Sequence, residues 1–252
     1  MNPAAWGIPT KSTSATTCLN VESCLVAIRS CCVKVVFLSV PNWWSRPYTG
    51  AMSSTASEQR KALASALRAV APDAPTLCEG WAAEDLAVHI VIRDSRPDLL
   101  VGQGLPVVGA KARNAIASLK AEGYEYLVDR VSIGPPSYFP QTIEPVNDAM
   151  NSAEFYIHTE DVLRAQHDFD PHQRRDVSEE LRKRLWKQSS MSFFPMAARK
   201  QNRRISFFSP GYGATTRGPA TAPLVMVHGA PEELTLWAAG RADKAEVDIT
   251  EA

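Results

Sequence analysis

From Val146 to Gln166 the chain runs without a glycine or a proline, and no other stretch constrains its fold as tightly. Such a run reads as one long helix. Within it Glu154 and His158 stand four residues apart, so their side chains stack on one face and both reach a single ion. The composition predicts about half an acidic-x3-His pair by chance along a chain whose side chains repeat in this way. Three occur: Asp85/His89, Glu154/His158 and Asp168/His172. The last holds Pro171 inside a turn, so no helix aligns its side chains, and it is set aside.

Around this helix the chain punctuates itself. Ser57-Glu58 followed by Leu63, Ala66, Leu67 and Val70 predicts an amphipathic helix that Pro72 and Pro75 end. Thr76 to Trp81 reads as a turn. A second helix follows over 83–93, with Leu86, His89, Ile90 and Arg93 on one face, and Arg96-Pro97 bends or restarts it. Gly102, Gly104 and Pro106 mark a loop, and further helical stretches cover 110–121, 124–131 and 177–194. Beyond Pro195 the pattern changes to short strands at 205–208, 224–227 and 245–249, with a helix over 231–239 that has Pro231 in its first turn and Gly240 at its end. The expected fold is mainly α: a helical bundle over 52–198 followed by a small α+β module over 199–252.

Residues 1–51 form the remaining unit, a non-structural extension or mis-assigned start. They hold Cys18, Cys24, Cys31 and Cys32, whereas only Cys78 follows. Met52 and the Ser-Ser-Thr after it make a natural entry to a helix, and Met52 is expected as the true start; a disordered tail or a lineage-specific extension is the alternative. The apolar run over 31–40 comes too late for a secretory signal and is broken by Lys34. A body with one cysteine lacks a disulfide framework, which fits a reducing, cytoplasmic setting. No span approaches the roughly 18–20 apolar residues of a membrane helix. With 27 basic and 27 acidic residues, no global field draws the chain to nucleic acid or an anionic membrane.

Two helices that each aim a histidine inward can build a metal site in a bundle core. His89, Glu154 and His158 supply two nitrogens and a carboxylate, leaving a fourth position for water or substrate. The competing reading of His89 is a hydrogen-bonded core residue. Asp85 and Asp161, each one turn from a histidine, are candidates to fix the tautomers. Cys78 reads as a buried small hydrophobe, because no histidine lies near it in sequence. Trp81 and Trp237 read as packing residues, and Lys200, Arg203 and Arg204 as a solvated linker.

Two segments also carry a family resemblance. Gly80-Trp81-Ala-Ala-Glu84-Asp85-Leu86-Ala-Val-His89-Ile90 and Asn151-Ser-Ala-Glu154-Phe-Tyr-Ile-His158-Thr-Glu-Asp161-Val-Leu-Arg164 resemble the actinobacterial mycothiol-dependent maleylpyruvate isomerase superfamily, related to DinB-like bundles. The stretch from Ala71 to Trp81 and Gly134-Pro-Pro136 are similar to its metal-binding branch. The resemblance implies a divalent ion, zinc or another, on His89, Glu154 and His158, and a low-molecular-weight thiol as co-substrate. It implies a thiol-dependent isomerase or S-transferase acting on a small electrophile. Gly240-Arg241 looks like the Gly-Arg that places a basic group near the metal, where Arg241 would hold a substrate carboxylate. Expected partners are that substrate or thiol and, in a homodimer, a second copy. The alternative is a non-catalytic protein that the ion braces and that binds an apolar small molecule. The sequence departs from the family at Ala82-Ala83, where a hydroxyl helix cap is usual, and in its short C-terminal module.

Overall fold

The structure, a computed structural model, describes residues 54–96, 106–171 and 174–251. Met52 and the 1–51 unit, the Pro97 break, the Gly102–Gly104 loop and His172 lie outside these residues. Eight α-helices and one four-stranded sheet make up the described part: α1 (Thr55–Arg68), α2 (Ala83–Ser95), α3 (Pro106–Ala121), α4 (Tyr124–Ile133), α5 (Glu144–Leu163), α6 (Glu179–Met191), α7 (Phe193–Gln201), β1 (Arg204–Ser209), β2 (Gly213–Arg217), β3 (Leu224–His228), α8 (Pro231–Ala238) and β4 (Asp248–Glu251). The chain is thus mainly helical with a small sheet near its end.

The long helix begins two residues earlier than the sequence suggests, because Pro145 fits its first turn, where an amide proton has no intrahelical partner. The stretch expected as one helix over 177–194 is two. Ser192 leaves helical geometry at φ −127°, and α7 then carries Pro195 in its own first turn, where it is tolerated. The strand β2 was not expected. Its sequence Gly-Ala-Thr-Thr-Arg carries no apolar alternation because it is an edge strand, paired only with β1. The last strand pairs at Asp248–Glu251 rather than 245–249, and it too lies at an edge. The order is β2-β1-β3-β4, with β1 and β3 parallel and the outer pairs antiparallel.

Helix α5 organises the interior by showing different residues on each side. Phe155 and Val162, seven residues apart, join α1, α2 and α4 in one apolar core through Leu63, Leu67, Leu86, Ile90, Leu127 and Val131. Ala153, Tyr156 and Ile157 enter a second core with α6, α7, the sheet and α8, built on Leu185, Phe194, Phe207, Val227 and Leu236. Between these faces runs a polar stripe at three- and four-residue spacing: Asn147, Asn151, Glu154, His158 and Asp161, four of them buried. A stripe of buried polar groups on a core helix requires partners. The site lies where they are found.

Candidate metal centre

Helix α2 brings His89 to the stripe, buried and with its ring beside that of Trp81. Its Nε2 lies 3.6 Å from Glu154 Oε1, and His158 Nε2 lies 3.4 Å from the same oxygen. The two imidazoles meet edge to face with centroids 5.5 Å apart. The structure therefore brings His89, Glu154 and His158 together. Their ligand atoms all lie within 4.8 Å of one another.

These distances leave room for an ion between the three groups. An N–H···O hydrogen bond places its heavy atoms about 2.7–3.2 Å apart. Ligands about 2.0–2.2 Å from a tetrahedral ion stand about 3.3–3.6 Å from each other, the edge of the tetrahedron. The two nitrogens approach Glu154 at the second spacing. Arg93, one turn after His89, sets its Nε 3.4 Å from Glu154 Oε1 and donates to Asn151 Oδ1 and to the Met150 carbonyl, steadying the carboxylate from outside.

His158 is oriented from its other side. Its Nδ1 is 2.9 Å from Asp161 Oδ2, and since a carboxylate only accepts, Nδ1 carries a proton, so Nε2 is the nitrogen that an ion would take once it gives up its own. Burial disfavours the His158 cation, yet the Asp161 hydrogen bond and the nearby charges of Glu154 and Asp161 outweigh it and push its pKa up to about 10. For His89 burial wins, helped by the neighbouring His158, and the pKa falls below its ordinary value. Burial also opposes the Glu154 anion, but Arg93 and both histidines hold its carboxyl well below the usual range. Asp161, likewise opposed by burial, is brought to about 2 by His158 and Arg241.

Asp85 does not play the part expected of it. Its Oδ2 accepts from the Ala82 amide at the start of α2 and its Oδ1 pairs with Lys120 Nζ at 2.6 Å. It makes the N3 half of a capping box, reaching back to the N-cap amide, rather than orienting His89.

Cys78 is buried as expected, but its sulfur is not an isolated apolar group. Sγ donates to Asp161 Oδ2 at 3.2 Å and lies 3.8 Å from His158 Nδ1. The turn over 76–81 delivers it there: the Leu77 amide binds the Asp161 carbonyl, Thr76 Oγ1 donates to the Trp81 carbonyl, and Gly80 takes φ +76°. The contact spans 80 residues of chain, so nothing local announced it.

No family model, curated protein or solved structure matches the chain.

The site accordingly rests on its geometry: buried His, Glu, Asp and Cys groups arranged so that they can hold a metal ion. Arg241 reaches it from the C-terminal side. Gly240, at φ +95°, reverses the chain after α8, and the Arg241 amide bonds back to the Leu236 carbonyl. Its guanidinium then lies against Asp161, with Nε 2.7 Å from Oδ1 and Nη2 2.6 Å from Oδ2. Trp81 packs its ring 5.1 Å from that of His89, and Trp237 lies in the second core 5.8 Å from Phe207. Lys200 and Arg203 are exposed, Arg203 pairing with Glu251 across the sheet edge. No helix among the described residues is long and apolar enough to cross a membrane.

Proposed function

We propose that the protein binds one divalent ion, zinc by its donor set, through His89, Glu154 and His158, and that it is a thiol-dependent isomerase or S-transferase acting on a small electrophile. The observation that carries the metal reading is the pair of nitrogens standing 3.4 and 3.6 Å from one carboxylate oxygen. Two imidazoles and a carboxylate leave a tetrahedral ion one position for water or substrate. The thiol reading, the DinB-like character of the helical part and a cytoplasmic setting rest on the resemblance of the segments 80–90 and 151–164 to the mycothiol-dependent maleylpyruvate isomerase superfamily, and on a body with only one cysteine.

An ion held there lowers the pKa of a coordinated water or thiol so that the anion exists at neutral pH. The chain's own groups supply the rest. Glu154 is kept anionic by Arg93, Asp161 fixes the His158 tautomer, and Trp81 closes one side of His89. A second reading, an ion that only braces the helices, is favoured by burial: the side chains of His89, His158 and Glu154 are 3%, 3% and 11% exposed.

Cobalt(II)-loaded protein separates the two. If the fourth position is open, adding a low-molecular-weight thiol is expected to produce a thiolate-to-cobalt charge-transfer band, retained in Cys78→Ala. A cobalt spectrum that ignores added thiol would leave the bracing role.

A further inference from the structure

The imidazole of His158 has an acidic group at each end. Glu154 faces Nε2, and Asp161 faces Nδ1 together with the Cys78 sulfur. Cys78, His158 and Asp161 also bring their ligand atoms within 4.8 Å of one another, so by donor type alone the Nδ1 side resembles a second cation site. A cation is already built into it. The Arg241 guanidinium meets both oxygens of Asp161 in a two-point pairing, and Nη2 lies 3.5 Å from Cys78 Sγ. Nη1 donates to the Ala239 carbonyl at 2.6 Å, and the residue is only 7% exposed. Arg241 is thus turned onto the protein's own groups, in a geometry that suits a planar fork and not a point charge.

We propose that Arg241 is a positioning residue for the metal centre: by clamping Asp161 it holds the Nδ1–H of His158 and keeps Nε2 aimed at the ion. The proposal rests on the metal reading above. It replaces a substrate-binding role for Arg241 with one exerted through Asp161, and it ties ion affinity to the docking of the C-terminal segment, because Arg241 lies three residues beyond the end of α8. The physical reason is a chain of constraints. A carboxylate with one hydrogen-bond partner can rotate, whereas one fixed at both oxygens presents its remaining lone pair in a single direction, and groups that orient a ligating histidine in this way typically govern metal affinity by 10–100-fold.

The test is zinc affinity by chelator competition in the full chain, for the parent, Arg241→Met, Arg241→Lys, Asp161→Asn and the double variant Arg241→Met/Asp161→Asn, with circular dichroism reporting the fold. Arg241→Met and Asp161→Asn are each expected to weaken zinc about 10–100-fold. The double variant should be no weaker than Asp161→Asn, because Arg241 reaches His158 through that carboxylate, and Arg241→Lys should recover little. Folded Arg241→Met with parental affinity, or losses that multiply in the double variant, would overturn the proposal while leaving the metal site intact. A parent that takes up no zinc would instead remove the metal reading itself. Should Arg241→Met fail to fold, nitrogen-15 NMR of the zinc-loaded parent decides directly: His158 protonated at Nδ1 supports the proposal, and protonation at Nε2 overturns it.

Discussion

Arg164→Ala is expected to lower the free energy of unfolding by about 3–5 kcal/mol, the usual consequence of removing one member of a buried charge network. Arg164 follows the last residue of α5 and is fully buried. Its Nε donates to Glu160 Oε2 at 2.8 Å, and Nη1 and Nη2 hold both oxygens of Glu233 on α8 at 2.9 and 2.7 Å. Nη1 also reaches the Lys244 carbonyl, at 2.7 Å. Glu160 retains Arg175 in the variant, and Glu233 retains Arg174 at 3.2 Å. Both, however, lose their most buried partner. The side chains of Glu160 and Glu233 are only 3% and 5% exposed, so water cannot take its place. Denaturant unfolding followed by far-ultraviolet circular dichroism measures the loss. Adding Glu160→Gln and Glu233→Gln to the alanine variant should recover part of it, since the stranded charges cause most of the penalty. A loss below about 1 kcal/mol would place the network among surface pairs of little consequence.

Zinc affinity is expected to climb about tenfold per pH unit from neutral pH toward 10, about a hundredfold between pH 7 and 9. The ion needs Nε2 of His158 unprotonated. In the metal-free protein that nitrogen is protonated until the pH approaches about 10, because Asp161 and Glu154 sustain the imidazolium. One proton must therefore leave for each ion that binds. His89, whose pKa burial lowers, adds no competing proton at neutral pH. The same shift sets the stability of the metal-free protein with the opposite sign. A raised folded-state pKa stabilises fully below the unfolded value near 6.5, and this contribution is lost as pH rises through about 10. Competition titrations at several pH values, with calorimetry in buffers of different ionisation enthalpy to count released protons, check the slope. A pH-independent affinity would mean that His158 is already neutral in the metal-free state.

Where the sequence proved legible, a strong local period carried the information. The glycine- and proline-free run became α5, and the four-residue spacing of Glu154 and His158 set both on its polar stripe. His89 was placed correctly by the apolar period of α2, which aims it inward. Spacing alone misled at Asp85, which precedes His89 by the same interval as Glu154 precedes His158. Asp85 sits in the first turn of its helix, where a free backbone amide and Lys120 claim the carboxylate; Glu154 lies mid-helix, where the backbone groups are already paired. Cys78 and Arg241 were beyond local reading for another reason. Their contacts with Asp161 close loops of 83 and 80 residues and exist only after the turn over 76–81 and the α8 terminus have docked on α5. The edge strand β2 and the separate helix α7 were missed because one has no apolar face to repeat and the other carries in its first turn Pro195, a residue that usually ends a helix.

Metal content by plasma mass spectrometry, measured on the purified chain after reconstitution with zinc and exhaustive dialysis, reads out the His89–Glu154–His158 site itself. His89→Ala and His158→Ala serve as the comparison, with circular dichroism confirming that both fold. Close to one equivalent is expected in the parent and loss of that ion in both variants, since each leaves only two ligands of the three. A parent without zinc, or folded variants that retain it, would rule out this metal site and make His89 and His158 hydrogen-bonded core residues.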